Sequence, residues 1–112
     1  MPYTAKHRYA PISARKARLV VDTIRGLPVQ KALDVLEFQP QRAAQLTRLV
    51  VRSALSNADE LEADVDELVV SEARVDAGPM AKRVWARGRG RADVLRHRTC
   101  HIIVTLDQAS AL

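Results

Sequence analysis

The chain has 112 residues, enough for one domain. Its 18 Lys+Arg against 13 Asp+Glu give a net charge of +5 and a pI near 10.0, and its apolar share of 47% excludes wholesale disorder. With only 4% aromatic residues, the core must be built from Ala, Val, Leu and Ile, and the single cysteine excludes an intrachain disulfide or a Cys-rich zinc site.

Pro2–Ala10 reads as extended, with Tyr3, Ala5, His7 and Tyr9 alternating against Thr4, Lys6 and Arg8. Pro11 and Ser13 then stop the strand and open a helix, Ser13 being a good N-cap. Ala17, Val20, Val21 and Ile24 fall on one apolar helical face, and Arg15, Arg18, Asp22 and Arg25 on another. Gly26 suits the left-handed closing position. A second helix begins near Pro28, with Val29, Ala32, Leu33 and Leu36 at the same spacing, and ends at Gln39-Pro40. A third runs from about Gln41 to Ala58, with Ala43, Leu46, Val50, Ala54 and Asn57 as its inner stripe.

Leu61–Glu67 is an acidic connector. From Leu68 the period becomes two: Val69, Ser71, Ala73 and Val75 alternate with Val70, Glu72, Arg74 and Asp76. A matching segment closes the chain, in which Thr99, His101, Ile103 and Thr105 alternate with Cys100, Ile102, Val104 and Leu106. Between the two lies Gly78–Arg98, rich in arginine and holding Asp93 as its one acid. Its middle, Arg87-Gly88-Arg89-Gly90-Arg91, reads as a tight reversal, because glycine reaches positive φ without steric cost; the same composition also suits a flexible loop. Two arms of about ten residues, at about 3.3 Å each, would put the tip on the order of 30 Å from the body. Such a ribbon is marginal alone in water, and its arginines repel one another. A polyanion resolves both problems, since the planar guanidinium gives two parallel hydrogen bonds to phosphate. Trp85 either stacks on a base or packs across the ribbon.

Charge is unevenly spread. Residues 1–56 hold 10 basic and 3 acidic groups, residues 57–76 hold 1 and 8, and residues 77–112 hold 7 and 2. Two basic blocks therefore flank an acidic segment, Asp59–Glu67, which should face away from a nucleic-acid partner. No apolar run approaches the roughly 20 residues of a membrane span, and Met1–Ala10 lacks the apolar stretch of a secretory leader. Enzyme signatures are missing: there is no third glycine after Gly88-Arg89-Gly90 and no phosphate-binding Gly-rich loop ending in Lys. His97 and His101, on one strand face, stand about 13 Å apart, too far for one metal. Cys100, among Ile102 and Val104, reads as a buried, inert thiol.

Three motifs together resemble a known family. Ile12-Ser13-Ala14-Arg15-Lys16-Ala17-Arg18-Leu19-Val20-Val21-Asp22-Thr23-Ile24-Arg25-Gly26 is similar to the opening helix of bacterial large ribosomal subunit protein twenty-two. So are Val75-Asp76-Ala77-Gly78-Pro79 followed by Lys82-Arg83, and Gly90-Arg91-Ala92-Asp93 followed by Arg98-Thr99-Cys100-His101-Ile102. The resemblance implies an α+β fold, three helices packed on a small antiparallel sheet with a long protruding β-hairpin. It implies one RNA-binding domain over residues 1–112, with a globular body at 1–77 and 102–112 and the hairpin at 78–101. The implied function is structural: binding large-subunit ribosomal RNA across several of its domains, beside neighbouring ribosomal proteins in the cytoplasm, with no cofactor, metal or membrane. The family's hairpin tip lines the peptide exit tunnel near where macrolides bind and meets the nascent peptide. By motif, Ser13, Arg15, Lys16, Arg18 and Arg25 would contact RNA, with Lys82, Arg83, Arg87, Arg89, Gly90, Arg91, Arg98, Thr99 and His101 from the hairpin. Lys6, Arg8, Trp85, Gly88 and Arg96, which lie in the same basic segments, complete the candidate set. Trp85-Ala86-Arg87 stands where Met-Pro-Arg is common in the family, and Cys100 where serine is. The alternative is a DNA-binding regulator, with the first two helices as a helix-turn-helix and the ribbon as a wing, although the second helix carries only Lys31 as a base.

Overall fold

A computed structural model describes residues 2–109; the two ends of the expected 1–112 domain lie outside the described residues. The elements are β1 (Tyr3–Ala10), α1 (Ala14–Val21), α2 (Val29–Phe38), α3 (Arg42–Glu60), β2 (Leu68–Ala86) and β3 (Ala92–Gln108). The strands form one antiparallel sheet in the order β1-β3-β2, and the three helices pack on one face of it. This is the expected α+β architecture.

Helix α1 forms where its capping and periodicity say. The Ser13 hydroxyl accepts the Lys16 backbone N–H at 3.4 Å, and Ala17, Val20, Val21 and Ile24 are all buried. The helix ends at Val21, earlier than its apolar period. The bonds Thr23 N–H to Val20 and Ile24 N–H to Val21 are of the tighter i to i−3 type, and Gly26 closes the turn at φ +84°. Pro28 stands at the N-cap of α2, one residue before the helix proper. In α3 the buried stripe is Ala43, Ala44, Thr47, Val50, Val51, Ala54 and Ala58. Asn57, expected inside, is exposed; its side-chain amide donates to the Thr4 carbonyl of edge strand β1 at 3.2 Å. Alanines at the helix contacts let the layers approach closely.

Strand β3 is central and regular, so Cys100, Ile102, Val104 and Leu106 lie buried against the helices as their alternation requires. Burial pushes the Cys100 thiol above its ordinary range, and the positive charge of Arg18 offsets this in part. The outer strands are not regular. A bulge between Val70 and Glu72 inserts Ser71, so the buried face reads Leu68, Val70, Ala73 and Val75 rather than one unbroken alternation. A second bulge in β1, between His7 and Ala10, turns Ala10 rather than Tyr9 inward: Ala10 is fully buried and Tyr9 is 55% exposed.

Beyond the body, β2 and β3 continue as a two-stranded ribbon, paired from Met80↔Arg98 to Ala86↔Ala92. Arg87 donates its backbone N–H to Arg91 across the expected reversal, where Arg89 and Gly90 adopt φ +62° and +73°. The molecule measures 63 × 24 × 20 Å, with a radius of gyration of 17.1 Å. A compact chain of this length would give about 13 Å, so the ribbon is a true projection. Its root is a third bulge, where Gly78 and Pro79 oppose Thr99 alone. Pro79 has no N–H to lose there, and the Thr99 hydroxyl donates to its carbonyl at 2.6 Å. A Cβ on Gly78 would meet the Thr99 Oγ1 at 2.6 Å and its backbone at 3.2 Å. Gly78→Ala is therefore expected to lower the stability of the fold by about 1–3 kcal/mol in chemical denaturation. Gly88→Ala, with open space around it, should change it by less than about 0.5 kcal/mol.

Candidate nucleic-acid interface

The root of the ribbon gathers the cations. The N-terminal turn of α1, the start of α3 and the first ribbon residues border a groove of about 790 Å³. Pro11, Ile12 and Leu19 give it an apolar floor, and Lys16, Arg42, Arg96 and Arg98 are its charged residues. A second groove, of about 530 Å³, adjoins the first and shares Ser13, Arg98 and Thr99 with it. It carries Arg15, Arg18 and Ser13 and borders Gly78 and Met80. Neither groove contains a carboxylate. The structure thus brings Ser13, Arg15, Lys16, Arg18, Arg96, Arg98 and Thr99 into one basic surface. Gln41 and Arg42 belong to it as well, and sequence reasoning missed them. They follow the Pro40 break, and only tertiary packing carries the start of α3 to the ribbon.

Two of the predicted arginines also serve the fold. Arg18 donates through Nε and Nη2 to the Val75 carbonyl at 3.2 and 3.0 Å. Arg25 donates to the Ala73 carbonyl in the same way and pairs with Asp22 at 2.8 Å. Both thereby cap open carbonyls along β2, an edge strand, while keeping further N–H donors.

The ribbon itself has two faces, because residues opposite one another share a side. Met80, Lys82, Val84 and Ala86 share one with Arg98, Arg96, Val94 and Ala92. Ala81, Arg83 and Trp85 share the other with His97, Leu95 and Asp93. Cations therefore project on both sides, and Lys82 stands directly opposite Arg96, a repulsive pairing. The ribbon's one acid, Asp93, accepts from Arg87 Nε at 2.7 Å. Trp85 lies opposite Asp93 and is 54% exposed.

Lys6 and Arg8 lie apart from the grooves, on β1. His101 is half-buried on β3; its Nδ1 accepts the Tyr9 backbone N–H at 3.0 Å, so the ring serves the β1 bulge. Among the described residues, no three His, Cys, Asp or Glu side chains gather as a metal site would require. No described helix is long and apolar enough to cross a membrane. The acidic segment sits at the other pole: α3 starts in the groove at Arg42, and Glu60 ends it 18 residues on, about 27 Å away along the axis.

A basic surface whose grooves hold no carboxylate, at the foot of an arginine-rich ribbon and with the acidic cluster Asp59–Glu67 at the other end of α3, fits the class of protein that binds a polyanion such as folded RNA. The family model of ribosomal protein L22p/L17e matches residues 5–107, and the chain belongs to that family. It is accordingly a structural protein of the large ribosomal subunit that binds ribosomal RNA, not an enzyme, and works in the cytoplasm as part of the ribosome. Membership also replaces the DNA-regulator alternative.

Arg42→Ala is expected to leave thermal stability unchanged and to weaken ribosomal RNA binding, lowering the slope of log affinity against log salt by somewhat under 1. Arg18→Ala should lower both affinity and stability, the latter by about 1–2 kcal/mol, since it strips donors from a β2 carbonyl. Binding titrations at several salt concentrations, run beside denaturation, separate the two.

Proposed function

We propose that the ribbon enters the peptide exit tunnel of the large subunit, with its Gly88–Gly90 turn lining the tunnel wall where the nascent peptide passes. The body, on this reading, stays near the tunnel's outer end. The grooves and both ribbon faces contact several RNA domains through Ser13, Arg15, Lys16, Arg18 and Arg25, and through Lys82, Arg83, Arg87, Arg89, Arg91, Arg96, Arg98, Thr99 and His101. The supporting observation is the projection: paired strands leave the body, covered by no other described residue, with Lys82, Arg96 and Arg98 on one side and Arg83 on the other. A protein binding RNA with one face has no need of charge on the other. A ribbon threaded between RNA elements does. Phosphates on either side relieve the repulsion of Lys82 and Arg96 and release counterions as they bind. At the tip, two glycines leave the turn narrow.

The test places a photoreactive side chain at successive positions of a stalled nascent peptide and maps its cross-links on purified ribosomes. Adducts within residues 87–91, over a narrow window of distances from the peptidyl end, are the expected outcome. Adducts confined to body residues would overturn the tunnel placement.

A further inference from the structure

The bulge in β1 carries a feature that the basic grooves leave unexplained. Tyr9 adopts φ +59°, a left-handed conformation that costs a non-glycine residue about 1–2 kcal/mol. The geometry is held from outside: the Tyr9 N–H donates to His101 Nδ1 at 3.0 Å. The two rings meet edge to face, with centroids 5.0 Å apart and planes at 86°. The Arg8 guanidinium lies 5.4 Å from the centre of the tyrosine ring. Despite these contacts Tyr9 is 55% exposed. The nearest acid in register, Asp76 opposite His101, turns toward Arg74 at 3.9 Å. The bulge thus fixes a large aromatic surface, at some cost, beside a guanidinium and in water. Glycine would make the same turn without strain.

We infer that Tyr9 is a stacking platform for an unpaired nucleobase of ribosomal RNA, with Arg8 holding the adjoining phosphate and His101 acting as a positioning residue. The inference rests on the RNA-binding role of the family and adds a contact point on β1, separate from the grooves at the ribbon's root. Every base offers a π-face, so the platform selects an unstacked nucleotide rather than a sequence. A neighbouring ribosomal protein is the other class of macromolecule that a ring can pack against, but the Arg8 guanidinium over the Tyr9 ring favours the polyanion.

The φ of Tyr9 supplies an unusually clean variant. Tyr9→Gly removes the ring, relieves the backbone strain and keeps the N–H that His101 accepts. With large-subunit ribosomal RNA transcribed in vitro, Tyr9→Gly is expected to bind about fivefold to a hundredfold more weakly. Its salt dependence should be unchanged, because no charge is lost, and its melting temperature should not fall. Tyr9→Phe should bind within about twofold of the wild type, since the ring rather than the hydroxyl stacks. Arg8→Ala, by contrast, should flatten the salt dependence. Unchanged affinity in Tyr9→Gly, or a loss of binding matched by a loss of folding, overturns the inference. So does an ultraviolet cross-link from Tyr9 in intact subunits that leads to protein and not to RNA. Failure of the wild type itself to bind would instead strike at the RNA-binding role.

Discussion

Lys82 faces Arg96 across a ribbon on which no other described residue packs. Like charges directly opposite one another destabilise a strand pair, and a two-stranded ribbon is marginal in water even without them. Of the ribbon's arginines, Arg87 has an acid partner, Asp93. Folding alone gives no reason for this arrangement; a polyanion on both sides does. On the proposed reading the ribbon's conformation is coupled to its partner, and bound phosphates would turn a repulsive charge pattern into the source of affinity.

The rest of the molecule serves to aim and anchor that ribbon. Central β3 runs without a break from the core into the arm, so the register set by Cys100, Ile102, Val104 and Leu106 is passed outward. The Gly78–Pro79 bulge, locked by the Thr99 hydroxyl, fixes the point of departure. Arg18 and Arg25 cap the β2 edge beside it and hold α1 to the sheet. The same few residues therefore stabilise the body and orient the arm, and in the proposed role they also present donors to RNA. The acidic cluster Asp59–Glu67 lies at the C-terminal end of α3, away from the grooves, where it does not oppose the approach of phosphate.

Much of this was legible from local pattern. The faces of α1 and β3 follow from their periods because neither is interrupted where it matters, and the two tip glycines announce the reversal. The differences in the strands have one cause. A bulge shifts a strand by one residue and exchanges its faces, and alternation alone does not reveal it. Alternation groups Tyr9 with Ala5, although Ala10 is the residue that turns inward, and it groups Val69 with Ala73 across Ser71. Helical spacing puts Asn57 on the inner stripe of α3, although its amide serves the Thr4 carbonyl of the edge strand. Arg42 and Gln41 escaped notice because their role depends on where α3 begins in space. Dual duty was hidden as well: nothing in a row of arginines tells which ones cap a sheet edge.

The most direct test compares backbone amide hydrogen exchange of the ribbon in the free protein and in its complex with ribosomal RNA. If phosphates hold the arm, amides of Ala81–Ala86 and Ala92–Arg96 exchange quickly in the free protein while those of Ile102–Leu106 stay protected, and the complex protects both. Equal and strong protection of the arm in the free protein, in dilute buffer without any polyanion, would contradict the account.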